Sequence, residues 1–429
     1  MLFAKPVEGT QDRILVGRIE SVDRHTDSDL SRHTFIIDAV DADFDFKTTA
    51  KATSQWDRKA FSIVRIMTTA QRFSEIARRP EFLETPEDLV GQWVALHVGP
   101  RSRVHGPLAQ VCPLGDFGYD RVVKYGVEDI EFFETDPEFP RSVGAAGNSR
   151  KQLAASLFKA GQSYNASTSA HQLVGLRRKL RDAQPKHVRV LDVGHANFIS
   201  VISDDGAKAV HFDVGWPIAY NMHTAPITLP NLDSAEVVIL SHWDWDHLHG
   251  YHVWPTLKDC IWVTPVQDLG PGAFFVASSL NAKGKLLSIG PLSSRPNLSL
   301  NGHGFIISYA NPRHAIGKSK MRNNSGLILT VTLSNGKVAL LPGDADYMSI
   351  NWANSVNPDL LVVSHHGAAV QGSIQAPKIA GSVAVLSLGA GNVYRHPCGI
   401  NLKRHTSVGW SLRSTCVSPH HPRGDCILV

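Results

Sequence analysis

The sequence predicts a two-part α/β protein: a mostly-β N-terminal region followed by a larger, sheet-rich α/β domain. Three observations carry this expectation. At 429 residues the chain is longer than one ordinary core serves. Its first 145 residues read as short β-branched or apolar runs between charged turns. From Val188 onward, short apolar strands alternate with loops that carry Gly, Asp and His. The expected boundaries are a mostly-β domain over 1–145, a basic helical connector over 146–185, and the α/β domain over 186–429.

Composition sets the class. With 43% hydrophobic and 19% charged residues, the chain has the make-up of a globular protein, and its net charge of +4 names no partner. The positive charge is uneven: residues 151–186 carry 7 Lys and Arg against 1 Asp. Five widely spaced cysteines without a CxxC pair fit a reducing compartment rather than a disulfide framework. The opening MLFAKPVEGTQDR lacks the apolar core of a signal peptide. No run approaches the roughly 18 apolar residues of a membrane helix, so no membrane partner is expected and a cytoplasmic location is the default.

In the N-terminal region Ile14–Ile19, His33–Ile37 and Gln92–Val98 read as strands. Val40–Phe46 alternates with period two, placing three Asp on one face; without the glycine and terminal Glu of a calcium loop, this reads as a solvated strand face. No chemistry is legible there, and a protein partner is the role left open for it. In the connector, Leu173, Leu176 and Leu180 recur at helical spacing while Arg177, Arg178, Lys179 and Arg181 point elsewhere. That pattern describes a solvated basic face, or a phosphate-backbone contact.

The chemistry-bearing residues follow strands. The buried run Ala235–Leu240 stops at Ser241, and His242, Asp244, Asp246 and His247 come at once, with His249 and Gly250 next. Imidazole and carboxylate groups at alternate positions of an extended loop converge on one point, and an adjacent Asp-His pair turns toward a second, as metal ligands do. Three later segments repeat the order of strand, small residue and polar group. They are Val338–Pro342 before Gly343-Asp344, Leu360–Val363 before Ser364-His365-His366-Gly367, and Val383–Gly389 before His396-Pro397.

Taken together, Asp192-Val193-Gly194-His195, Phe212-Asp213-Val214-Gly215, the Ser241–Gly250 loop, Gly343-Asp344-Ala345 and Ser364–Gly367 resemble the metallo-β-lactamase superfamily. The nearest likeness is to the hydrolase domain of the competence DNA-uptake channel family, which Asn323–Leu329 and Gly391–Pro397 also match. The resemblance covers about 186–429. It implies a four-layer αβ/βα sandwich with two divalent ions, Zn²⁺ first and Mn²⁺ as the alternative. Under it, His242 and Asp244 hold the first ion, Asp246 and His247 the second, and Asp344 bridges them. His365 supplies the late histidine, with His366 beside it or exchanging with it. Asp246 also orients the hydroxide, and His396 meets the substrate or protonates the leaving group. Asp192 and Asp213 brace the ligand loops. The sequence departs from the commoner pattern at Asp244, where His is usual, and lacks the His before the bridging Asp; Asn323 or Asn324 stands near that place, with His314 upstream.

The implied reaction is metal-assisted hydrolysis, with phosphodiesters favoured and nucleic acid or a nucleotide as substrate; Trp243 and Trp245, between the ligands, are either packing residues or a stacking wall for a base. Two other readings stand beside it: hydrolysis of lactones, thioesters or β-lactams, and a scaffold with a vestigial site.

Overall fold

The computed structural model describes residues 5–25, 32–46, 56–80, 86–133, 145–164, 168, 170–204, 206, 209–290, 297–299, 304–310, 321–350, 357–416 and 422–429. His314 lies outside them.

In the N-terminal region the alternation of buried residues closes a barrel. Strands β2 (Arg13–His25), β3 (Arg32–Asp41), β4 (Phe61–Thr69), β5 (Trp93–Gly99), β6 (Leu108–Pro113) and β7 (Val123–Phe133) pair antiparallel in the ring β7-β5-β2-β3-β4-β6, and β6 returns to β7. The short β1 (Val7–Glu8) adds to β7 in parallel, and helix α1 (Ala70–Ala77) packs against β7. Phe35, Ile37 and Ala39 of β3 point into the barrel core with Leu15, Val64 and Leu96. The intervening Ile36 and Val40 belong to a second core, shared with the rest of the chain. β3 ends at Asp41, where the chain turns through Ala42 and Asp43; the expected strand to Phe46 does not form, and Asp41 pairs with Arg13 at 2.7 Å instead.

That shared core joins the barrel to the remainder. Helix α2 (Ala145–Ser163) and helix α3 (Ala170–Asp182) fill the connector, with Leu176 and Leu180 buried and Arg177 and Arg178 exposed. Helix α4 (Pro271–Ala282) lies on β3 and β4. Its Phe274 and Phe275 meet Trp56 and Phe61 with ring centroids 5.5 and 5.2 Å apart. The N-cap residue Gly270 has no side chain to offer, so the first turn of α4 borrows one from the barrel. Asp38 accepts the N–H groups of Gly272 at 2.8 Å and Ala273 at 3.0 Å.

Residues 185–429 form two seven-stranded sheets. The first runs β13-β12-β11-β10-β9-β8-β21, from β8 (Pro185–Val190), β9 (Phe198–Ser203), β10 (Ala209–Val214), β11 (Ala235–Ile239), β12 (Ile261–Pro265) and β13 (Leu286–Ile289), with β21 (Cys426–Leu428) on its edge. The second runs β14 (Asn297–Ser299), β15 (Phe305–Tyr309), β16 (Leu327–Thr332), β17 (Val338–Leu341), β18 (Leu360–Val362), β19 (Val383–Leu386), β20 (Ser411–Ser414). One apolar core fills the space between them, from Val190, Ile199, Phe212 and Ile239 on one side to Leu329, Leu341 and Val362 on the other. A further core covers the far face of the second sheet, where Leu402 of helix α5 (Gly399–Ser407) packs with Trp410 and Tyr347. In both sheets the pairing changes from antiparallel to parallel, at β10–β11 and at β17–β18. Parallel strands end together, so the loops after β10, β11, β17, β18 and β19 gather at one end. Among the described residues no helix is long and apolar enough to cross a membrane.

A second polar tie crosses the seam. The buried His249 accepts the Tyr119 N–H on Nε2 at 2.8 Å, and its Nδ1–H donates to the Trp216 carbonyl at 3.0 Å. Accepting on Nε2 needs the neutral ring, and burial pushes its pKa down to about 4. A histidine whose folded pKa is depressed contributes stability that is present above about pH 6.5 and lost as pH falls toward 4, here on the order of 3 kcal/mol. Urea unfolding at stepped pH is expected to show this decline, and His249→Gln is expected to remove that share of it. An unchanged decline in the variant refutes the assignment.

Candidate metal centre

The centre is assembled on a carboxylate that does not line the cavity. Asp213, the last residue but one of β10, is held at φ 54°, a conformation non-glycine residues rarely adopt. Its oxygens accept hydrogen bonds from the Ser241 N–H at 2.6 Å, the Ser241 hydroxyl at 2.9 Å and the Asn197 amide at 2.8 Å, with His247 Nδ1 at 2.7 Å. Since the Ser241 hydroxyl donates to Asp213, it accepts from His242 Nδ1 at 2.9 Å. On the opposite wall His366 Nδ1 donates to the Ser387 carbonyl at 2.6 Å. All three rings are thereby fixed with the proton on Nδ1 and a lone pair on Nε2.

Those three Nε2 atoms are buried and have no hydrogen-bond partner. They face carboxylates. His247 Nε2 lies 3.1 Å from Asp344, His366 Nε2 lies 3.2 Å from Asp246, and His242 Nε2 lies 3.2 Å from Asp244 and 3.9 Å from Asp344. Two triads have donor atoms within 4.8 Å of one another: His242, His247 and Asp344, and Asp246, His247 and His366. Ligand bonds of about 2.0–2.2 Å in a tetrahedron place donors about 3.4 Å apart, the spacing seen here. The donor set therefore fits a divalent ion.

The loops are shaped for this. Trp245–Leu248 forms a single helical turn with Asp244 at its start, which turns Asp246 and His247 inward. Gly343, at φ 58°, brings Asp344 against this loop; a Cβ there would sit 2.6 Å from that of Ser241. His365 and His366 both have positive φ, 50° and 51°, so the two side chains leave the chain in different directions. Burial alone would raise the Asp246 and Asp344 carboxyls; positive charge on the facing rings, His247 with His366 for the first and His247 with His365 for the second, or a cation in its place, holds them well below the usual carboxylate range.

The structure brings together His242, Asp244, Asp246, His247, Asp344, His365 and His366. His366 rather than His365 joins Asp246 and His247, while His365 reaches Asp344 at 3.5 Å from a more exposed position. His396 lines the same cavity, and burial followed by the nearby His365 and His366 pushes its pKa down to about 3. Asp192 lies behind it, paired with Arg423 at 2.9 Å. Asn324 is turned away, exchanging hydrogen bonds with Asp346, and its neighbour Asn323 lines the cavity instead. Trp243 is a packing residue, with its indole N–H on the Pro265 carbonyl. Trp245 edges a small adjoining pocket and meets Tyr119 edge-on at 4.7 Å.

Sequence reasoning missed half of the cavity wall. Glu20, Ser21, Val22, Asp23 and Arg24 of β2, with Glu87, line the ≈ 390 Å³ cavity opposite the metal ligands. Burial and the facing Asp246 and Asp244 push the Asp23 carboxyl up to about 7, against the pull of its Ser21 hydrogen bond. His195 also lines it, with both ring nitrogens unpartnered, 4.7 Å from His366 and 5.3 Å from Tyr394 between ring centroids. The motif Asp192–His195 marks His195 in the sequence; nothing there marks the barrel residues.

No protein-family model matches the chain, and no curated protein matches it. Zn²⁺-bound PqqB from Methylobacterium extorquens is a similar solved structure, 13% identical over 56% of this chain and 99% of its own, with a TM-score of 0.33. The metallo-β-lactamase MIM-1 from Novosphingobium pentaromativorans is 12% identical over 43% and 78%, with a TM-score of 0.25. A Cronobacter sakazakii metallo-β-lactamase with a HARLDQ motif is 12% identical over 45% and 68%, with a TM-score of 0.21. Likeness at this level carries no argument about chemistry.

Proposed function

We propose that the protein is a metal-dependent hydrolase on the four-layer αβ/βα sandwich of the metallo-β-lactamase superfamily, with residues 1–145 forming one wall of its substrate cavity. One observation carries the reading: three buried imidazole Nε2 lone pairs, unpartnered, converge with Asp246 and Asp344. Asp246, His247, His366 and Asp344 would hold one ion, and His242, Asp244 and Asp344 a second. The first set, two imidazoles with two carboxylates, suits Zn²⁺, and the second, one imidazole with two carboxylates, admits Mn²⁺. Bound there, such an ion supplies a water acidified to near neutral pH. Asp246 would orient a water with the oxygen it does not give to an ion, and His195, Tyr394 and His396 line the cavity, where they would hydrogen-bond the substrate and its leaving group.

The wall bears on the substrate. Among the described residues lining the cavity, Arg24 is the single cation besides the histidines, while Glu20, Asp23 and Glu87 add carboxylates to those of the centre. None of the basic residues of α2 and α3 lines it. The volume is that of a small-molecule site. We therefore assign a small electrophilic ester or amide, a lactone, thioester or β-lactam, ahead of a nucleic-acid strand; a phosphodiester of nucleotide size is the competing class.

A panel of lactone, thioester, cephalosporin and bis(p-nitrophenyl) phosphate with Zn²⁺ or Mn²⁺ decides between the classes. Turnover is expected on the first three and to fall by at least about a hundredfold in Asp246→Asn and Asp344→Asn. Cleavage of the phosphate diester alone reverses the assignment. Turnover of nothing by a protein that binds no metal returns the scaffold reading. Asp213→Asn is expected to weaken metal binding by about 10–100-fold by releasing His247, measured by chelator competition; unchanged affinity shows that Asp213 does not orient the ligands.

A further inference from the structure

A chain of four alternating charges runs from the barrel to the metal centre. Arg18 donates to Glu20 at 2.7 Å, Glu20 also pairs with Arg322, and Arg322 donates to Asp244 Oδ1 at 3.0 Å. Arg18, Glu20 and Arg322 are each more than nine-tenths buried. Arg322 is further held by the Asp268 carbonyl at 2.9 Å. Glu20 reaches it because the β2–β3 ladder is irregular there. Ile19 pairs with Ile37 and Ser21 with Ile36, which leaves Glu20 as the extra residue of a bulge.

The two metal positions are unequal. Asp246, His247 and His366 converge at the second position, with Asp344 3.1 Å from His247, and none of them is committed to a cation outside the centre. The first must share His247 and Asp344 with the second, and the donors of its own are His242 and Asp244, whose charge is already met by Arg322. Near the place where a further histidine is expected stand Asn324, which is spent on Asp346, and Asn323, which lines the cavity and is not a metal donor of the imidazole kind. A guanidinium does not shed its proton in a protein, so Arg322 remains a fixed cation behind Asp244 and repels an ion on its other side.

We propose that the centre keeps one tightly held ion, at Asp246, His247, His366 and Asp344, and that Arg322, seated by Glu20 of the barrel, stands in for the charge of an ion at the His242–Asp244 position. This rests on the metal-centre reading above. Arg322 is a positioning residue: it lies behind Asp244 and does not line the catalytic cavity. The barrel thereby sets metal stoichiometry as well as the shape of the cavity.

The test counts metal rather than turnover. The full chain is loaded with Zn²⁺, dialysed against metal-free buffer, and analysed by plasma emission and chelator competition. One equivalent is expected to remain. Asp244→Asn is expected to keep that equivalent, while Asp246→Asn weakens its binding by about 10–100-fold or more. Arg322→Met, with the fixed cation gone, is expected to retain two equivalents. Two equivalents in the unaltered chain, or loss of the single one in Asp244→Asn, overturns the proposal, and these arms decide the matter even where Arg322→Met fails to fold. Absence of any bound metal in the unaltered chain instead overturns the metal-centre reading itself.

Discussion

The site depends on one buried carboxylate that the cavity never sees. Asp213 fixes the start of the Ser241–His247 loop through two bonds from Ser241, and with the same pair of oxygens sets the proton on His247. Through Ser241 it also sets the proton on His242. Burying a carboxylate costs several kcal/mol unless its oxygens are satisfied, and here four groups satisfy them. The arrangement spends that cost on geometry: two imidazoles arrive with their lone pairs already aimed, and no side chain must turn when a ligand comes.

The second constraint is the way two units share a core. The barrel closes on itself, so it has no free edge with which to dock, and the contact is made by outward side chains of β3 and β4 against α4. The polar groups at the seam are paired in specific ways, Asp38 with the first turn of α4 and His249 with Tyr119, so the orientation is set by direction as well as by area. A barrel held at that angle lays β2 across the mouth of the centre.

Legibility followed the range of the physics. The strands and the ligand loops of 186–429 were readable because apolar runs ending in Gly, Ser, Asp or His are local signals. The choice between His365 and His366 was not, since it rests on two successive left-handed residues and on a carbonyl of another strand. Leu176 and Leu180 are legible as a buried stripe and Arg177 and Arg178 as a solvated face, and neither cation lines the cavity. The Val40–Phe46 pattern misled because alternation continued past the point where the chain turns. The barrel, and with it Glu20, Ser21, Asp23 and Glu87, stayed hidden. Ring closure is a long-range pairing, and a bulge leaves no mark in composition.

The wall that β2 lends to the cavity has a property that loops lack. Along a strand, neighbours face opposite ways: Val22 belongs to the barrel core as well as touching the cavity, while Asp23 lines the cavity without joining that core. Replacing the outward residue leaves the inward one and the ladder untouched. The His/Asp cluster has no such freedom, because its side chains and their supports are bonded to one another. Diversification among descendants of this chain would then be concentrated on a few alternate positions of one strand, letting substrate preference drift while the chemistry is inherited intact.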